Sequence, residues 1–143
     1  MIEYLCTSDF IRSINNLTRK PKYQYNSCIK DIKDELKEKN ITQIIDSAFL
    51  LYQNMELHVL KIRIKKSEQR VGKSGGYRLI AAANNKTNRI AFLQIYPKTG
   101  RFKKEDFDKD DELDKHLETL QKEIETNSIM KFNLSDVELG DFI

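Results

Sequence analysis

The sequence predicts an α+β fold in which two N-terminal helices pack on a mainly antiparallel, twisted β-sheet and a C-terminal amphipathic helix follows. Three observations carry that expectation. Apolar residues recur at helical spacing twice before Asn40, alternate with a period of two from Glu56 onward, and return to helical spacing after Asp110. The extended segments are joined by short polar loops, so an antiparallel meander is their natural arrangement, with the helices on one face and the other face left for function.

Residues 2–6 alternate enough for a short first strand. Ser8 or Asp9 can cap the helix that follows, which carries Phe10, Ile14 and Leu17 on one face. The tract Thr18-Arg19-Lys20-Pro21-Lys22 ends it. A second helix runs through KDIKDELKEKN, with Ile29, Ile32 and Leu36 at helical spacing and Asn40 as its stop signal. Residues 41–52 are apolar enough to lie against the core, but their pattern selects no conformation. In the next strand His58, Leu60, Ile62 and Ile64 share one parity, and Val59, Lys61, Arg63 and Lys65 the other, which gives it a basic face.

A glycine-containing polar connection then leads to an extended segment from Tyr77 to Ala83 and a turn at Asn84-Asn85-Lys86-Thr87-Asn88. Arg89 to Tyr96 forms the next strand, stopped by Pro97. Beyond Arg101 an acid-rich stretch enters DELDKHLETLQKEIETN, where Leu113, Leu117, Leu120 and Ile124 make the stripe of an amphipathic helix. The remaining IMKFNLSDVELGDFI is apolar enough to dock, or to fray.

The length of 143 residues suits one domain with its own core. No apolar stretch approaches the roughly 20 residues of a membrane helix, and the first residues carry acids where a secretory signal would be basic. The expectation is a cytoplasmic protein with no membrane partner. Cys6 and Cys28 show neither a CxxC nor a metal-ligand spacing and read as buried or idle thiols. His58 and His116 likewise belong to no metal constellation, and no cofactor is expected.

The net charge of +3 conceals a segregation. Residues 52–104 carry 13 basic and 2 acidic groups, a balance of +11, whereas residues 105–143 carry 4 and 13, a balance of −9. Such a basic block points to a polyanionic ligand. The acidic tail either packs beside the basic sheet and restrains it in cis or simply completes the core with its acids solvated.

Lys61, Arg63 and Lys65 stand about 7 Å apart on one strand face, close to the spacing of successive phosphates in a single strand. A solvated outer face is the plainer reading of that row. Arg78 sits within the otherwise uncharged strand GGYRLIAAA, where it must reach a carboxylate or await an anion, and Glu56 and Glu68 are the only acids of the block. Gly72-Lys73-Ser74 imitates the end of a Walker A loop. However, Ser67 stands where that loop needs a glycine, and a strand follows where it needs a helix, so a flexible basic loop that approaches phosphate through Lys73 fits better. Lys98, just past Tyr96 and Pro97, can point at the same anion as Arg78. Tyr96 can stack on a base or pack at the edge of the core, and Arg101 extends the basic surface.

Such a set suits metal-independent RNA cleavage by attack of the 2′-hydroxyl on its own phosphate. Arg78 would clamp the phosphate, and Lys61 or Lys98, their basicity lowered by neighbouring cations, would handle protons.

The run LKIRIKKSEQRVGKSGGYRLI, residues 60–80, places a basic strand, a GKSGG loop and a YRLI strand in the order seen in one family. With the helix TSDFIRSINNLTRK, the helix KDIKDELKE and the closing IAFLQIYPK, the chain resembles the RelE/ParE superfamily of toxins from type II toxin–antitoxin systems, and most of all the HigB-like branch. The likeness covers residues 1–107 as a RelE-like toxin domain and leaves 108–143 as an acidic helical extension. It implies a ribosome-dependent mRNA endoribonuclease that inhibits translation and is held by a cognate antitoxin protein. Carried over, Arg78 matches the phosphate-stabilising arginine, Lys61 and Arg63 the basic pair of the first basic strand, and Lys98 the basic residue closing the last strand. Lys65, Lys73, Tyr96 and Arg101 complete the expected RNA contacts. The chain departs from the pattern in its small Ala81, Ala82 and Ala83 and in having Phe102 and Phe107 where a late Tyr or His is usual. The alternatives from other classes are a non-catalytic toxin that occupies a target such as a topoisomerase, and a basic RNA-binding domain.

Overall fold

The computed structural model describes residues 1–19, 27–65, 76–98 and 110–133. Among these the fold is α+β, with four helices and a mixed sheet of six strands. In chain order the elements are β1 (Glu3–Cys6), α1 (Ser8–Thr18), α2 (Cys28–Leu36), α3 (Ile41–Ser47), β2 (Phe49–Asn54), β3 (Leu57–Ile64), β4 (Tyr77–Asn84), β5 (Arg89–Pro97), α4 (Asp110–Glu125) and β6 (Met130–Lys131). The sheet runs β2-β3-β4-β5-β1-β6. The β2 to β5 stretch is an antiparallel meander, β1 joins β5 in parallel, and β6 pairs antiparallel with β1. No described helix is long and apolar enough to cross a membrane.

Thr7, rather than Ser8 or Asp9, caps α1. Its hydroxyl accepts from the Phe10 amide at 3.2 Å while its own amide pairs with Phe92 at 3.1 Å, so the cap also fixes where the helix leaves the sheet. The buried stripe Phe10, Ile14 and Leu17 then lies against β5. Asn40 is not the stop of α2, which ends at Leu36 with Lys37 as its C-cap, but the start of α3. Its side chain accepts from the Gln43 amide at 2.9 Å and its own amide donates to the Gln43 side chain at 2.8 Å, a capping box that starts α3. The stretch whose pattern selected no conformation is therefore a two-turn helix followed by the edge strand β2.

The first sheet face, under α1, α2 and α3, presents Leu60, Ile62 and Ile64 from β3 together with Tyr77, Leu79, Ala81 and Ala83 from β4. On β5 a bulge opposite Ile80 and Ala81 changes the parity, so Ile90, Phe92 and Ile95 all reach this core. Beside the bulge the Ile95 amide donates to Ser13 Oγ at 3.1 Å, tying α1 to the sheet. Phe132, just past β6, closes the far side in edge-on contact with Phe92 and Phe10, at centroid distances of 4.9 and 6.2 Å. The Cys6 and Cys28 side chains are buried within the same core.

The second face is not left open along its whole length, contrary to the expectation. Val59, Ile80, Ala82, Ala91 and Leu93 make it apolar at one end, and α4 covers that end with Leu113, Leu117 and Leu120. The stripe expected of α4 ends there, for Ile124 is 55 % exposed. Two polar contacts lock α4 to α1: the His116 ring lies 3.0 Å from Asp9 Oδ2, and the Glu123 carboxylate accepts from the amide and hydroxyl of Ser8.

Candidate nucleic-acid interface

Where the apolar floor stops, the same face turns cationic. Strand alternation puts Lys61 and Arg63 of β3 on the side of Val59, and the β3–β4 register sets Arg63 directly opposite Arg78, with Lys61 opposite Ile80. Arg78 in turn faces Tyr96 on β5. Lys98, two residues further on, follows a backbone bond from its amide to the Gly76 carbonyl at 2.9 Å that extends the β4–β5 pairing beyond Pro97. Like charges facing each other across two strands repel, and an anion between them reverses the sign of that interaction.

These side chains line one cleft of about 580 Å³. The described lining combines Lys61, Arg63, Arg78 and Lys98 with Ile62 of the first face, with Glu35 and Lys39 at the end of α2, and with the turn from α3 into β2, ending at Phe49, so the cleft takes in residues of both sheet faces. The lining among the described residues thus holds five cations and one carboxylate. Glu35 lies 3.6 Å from the Lys39 ammonium, which partly offsets both charges, and the other charged residues of the described lining are all cations. The Lys61 ammonium stands 4.9 Å from the centroid of the Phe49 ring, its cross-strand partner, in cation–π contact. Arg78 is 6 % exposed, and its guanidinium donates to the Tyr77 carbonyl at 3.1 Å. A guanidinium held at the bottom of a positive cleft, with Arg63 opposite, can offer a planar pair of donors to phosphate oxygens.

Of the residues expected to carry RNA, the fold therefore brings Lys61, Arg63, Arg78 and Lys98 together. Lys65 follows the end of β3, exposed, and is not part of the lining. The Tyr96 ring is 3 % exposed within the second core, so as placed it offers no face to a base. Lys73 and Arg101 lie outside the described residues. Neither histidine borders the cleft: His116 serves the junction of α4 with α1, and His58 stands at the opposite end of β3. No described lining residue comes from α4.

Sequence reasoning missed Glu35, Lys39 and Phe49. Glu35 and Lys39 belong to the charged run DELKEKN, which reads as an ordinary solvated helix face, and Phe49 lay in the stretch of unassigned conformation. A signal was present: Asn40 and Gln43, three apart, form a helix-start signature that places the strand after α3 and Phe49 at its beginning. No protein-family model, curated protein or solved structure matches the chain, and the functional reading rests on this geometry.

Proposed function

We propose that the protein binds RNA in this cleft and cleaves it, acting as the mRNA-cutting toxin of a toxin–antitoxin pair on the ribosome. The RelE-like arrangement of the fold, the cognate antitoxin and the cytoplasmic location belong to the same reading. The observation that carries it is the convergence of Lys61, Arg63, Arg78 and Lys98 on one cleft, at the open end of a face whose other end is apolar and capped.

In the proposed reaction the 2′-hydroxyl of the bound nucleotide loses its proton and its oxygen bonds to phosphorus. The bond from phosphorus to the 5′-oxygen breaks, and that oxygen takes up a proton. The products are a 2′,3′-cyclic phosphate and a 5′-hydroxyl end. Arg63 and Arg78 stabilise the added charge on the phosphoryl oxygens. Lys61 and Lys98 handle the protons, and Glu35, the carboxylate in the lining, is a further acceptor for the 2′-hydroxyl proton.

A second reading, a toxin that binds a target such as a topoisomerase without cutting RNA, is favoured by one feature. The described lining contains neither an imidazole nor a phenol to protonate the leaving oxygen. Mapping mRNA 5′ ends and their chemistry after brief induction separates the two. Codon-linked cuts with 5′-hydroxyl ends, lost in Arg78→Lys, support the enzyme; the lysine keeps stem and charge but removes the donor fork. Cuts with 5′-phosphate and 3′-hydroxyl ends overturn the mechanism. Growth arrest with DNA-damage signalling and intact mRNA overturns the reading itself in favour of the binder.

A further inference from the structure

We propose that the edge strand β2 is a base-stacking track, with Phe49 and Tyr52 as its platforms, and that the ligand of the adjoining cleft is consequently single-stranded RNA. This deepens the RNA-binding reading above and rests on it. Four observations lead there.

First, Phe49 is 64 % exposed and Tyr52 44 %, large apolar rings turned to water on a strand without a charged residue. Second, the two rings share a sheet face although they are three positions apart, a spacing that regular alternation would split between faces. The irregularity between Leu50 and Tyr52 corrects this: Phe49 pairs with Lys61 and Tyr52 with Val59, two partners of equal parity on β3. Third, that face bears the cations at its Phe49 end, whereas Tyr52, opposite Val59, borders a groove shared with Leu113, Asp114 and Leu117 of α4. Phe49 borders the cleft beside Lys61 and Arg63, and Lys61 already contacts its ring. Fourth, among the described residues β2 is the outer strand of the sheet, with no further strand paired beyond it.

Exposed aromatics in line with a row of cations suit a chain that alternates flat apolar faces with phosphates. With a phosphate between Arg63 and Arg78, the neighbouring base lies within reach of Phe49 and the next one continues toward Tyr52. A duplex cannot use such a track, because its bases are stacked on one another and their faces are closed. The charge of the cleft decides among occupants: an apolar edge alone would suit a second copy of this chain, but five cations at its end call for a polyanion.

The test is binding of the full-length protein to a short single-stranded oligoribonucleotide, followed by fluorescence anisotropy, with the duplex of the same sequence as the second probe. The single strand is expected to bind at least about tenfold more tightly than the duplex, and Phe49→Ala to lose about tenfold of that affinity, the usual scale of one stacked base. Phe49→Trp should retain it, and Phe49→Leu, which keeps bulk but not the ring, should behave as the alanine. A scan of abasic positions along the probe should find one at which Phe49→Ala no longer matters. Equal affinity of wild type, Phe49→Ala and Phe49→Leu, with loss only in Arg63→Ala, overturns the track and leaves the phosphate cleft standing. No loss in any of them overturns the RNA reading as well. A shift of Phe49→Ala from dimer to monomer in sedimentation, with RNA affinity unchanged, assigns the edge to a second copy and likewise overturns the proposal.

Discussion

The Glu123 carboxylate accepts from the backbone amide of Ser8 at 3.0 Å, so a side chain of the last helix occupies the N-terminal end of the first. There it meets unpaired amides and the positive end of the helix dipole. Glu123→Ala should lower stability by about 1 kcal/mol, and Glu123→Gln, which keeps an acceptor but no charge, by less. Urea denaturation of the three proteins at one pH checks the order.

The covering of the second face by α4 has a larger effect. Leu120 is buried there over Ile80, Ala82 and Leu93, and Leu120→Ala should cost about 2–3 kcal/mol. Truncation after Phe107 uncovers the whole apolar end, so the shortened chain should aggregate. A cis restraint of the basic sheet would instead yield a folded truncation with tighter RNA binding. Among the described residues none of α4 lines the cleft, so RNA affinity in folded Leu120→Ala should equal that of wild type.

Binding to single-stranded RNA should weaken with salt. Phosphate contacts by Lys61, Arg63, Arg78 and Lys98 release counterions, giving a slope of log affinity against log salt of about −2 to −3, at about −0.7 per contact. Lys98→Ala should make the slope shallower by about 0.7. A titration series of anisotropy measurements at rising salt measures both.

Burial, with a further push from the Glu123 carboxylate, raises the Cys6 thiol from 9.0 to about 12. Burial likewise raises the Tyr4 phenol from 10.0 to about 12. The folded protein keeps both protons where the unfolded chain gives them up. Stability from this source is therefore complete below about pH 9 and declines as the pH rises toward about 12. The denaturation midpoint should fall between about pH 8 and 11, with a gentler slope in Cys6→Ala than in wild type. A thiol reagent at neutral pH should modify Cys6 only after unfolding, because the side chain is fully buried.

The helices α1 and α2 and the strand β3 were legible because their apolar residues keep a period, and β4 and β5, buried on both faces, because they are near-continuous apolar runs bounded by turn signals. The segment from Ile41 to Asn54 was not: a helix of seven residues shows too few turns to display a period, and β2 then exposes Phe49, Leu50 and Tyr52, which hydrophobicity alone would bury. Ile124 fits the spacing of the α4 stripe yet stays exposed, since spacing says which way a residue points and not where its partner ends. In the cleft, Arg78 was legible as a charge within an apolar strand. Glu35 and Phe49 were not, because what brings them to it is the placement of the end of α2 and of the turn from α3 into β2 beside β3, a tertiary fact.

The position of β1 sets the order in which the molecule is assembled. It lies between β5 and β6, both far along the chain, and does not pair with β2, the next strand in sequence. During synthesis β1 emerges long before either partner exists, and it gains its second neighbour only when Met130 and Lys131 have left the ribosome. Pairings across such separations are slow, whereas the β3–β4–β5 meander closes through near neighbours. The cation-bearing hairpins are thus shaped early, and the nascent protein acquires its positive cleft before the sheet that supports it is complete.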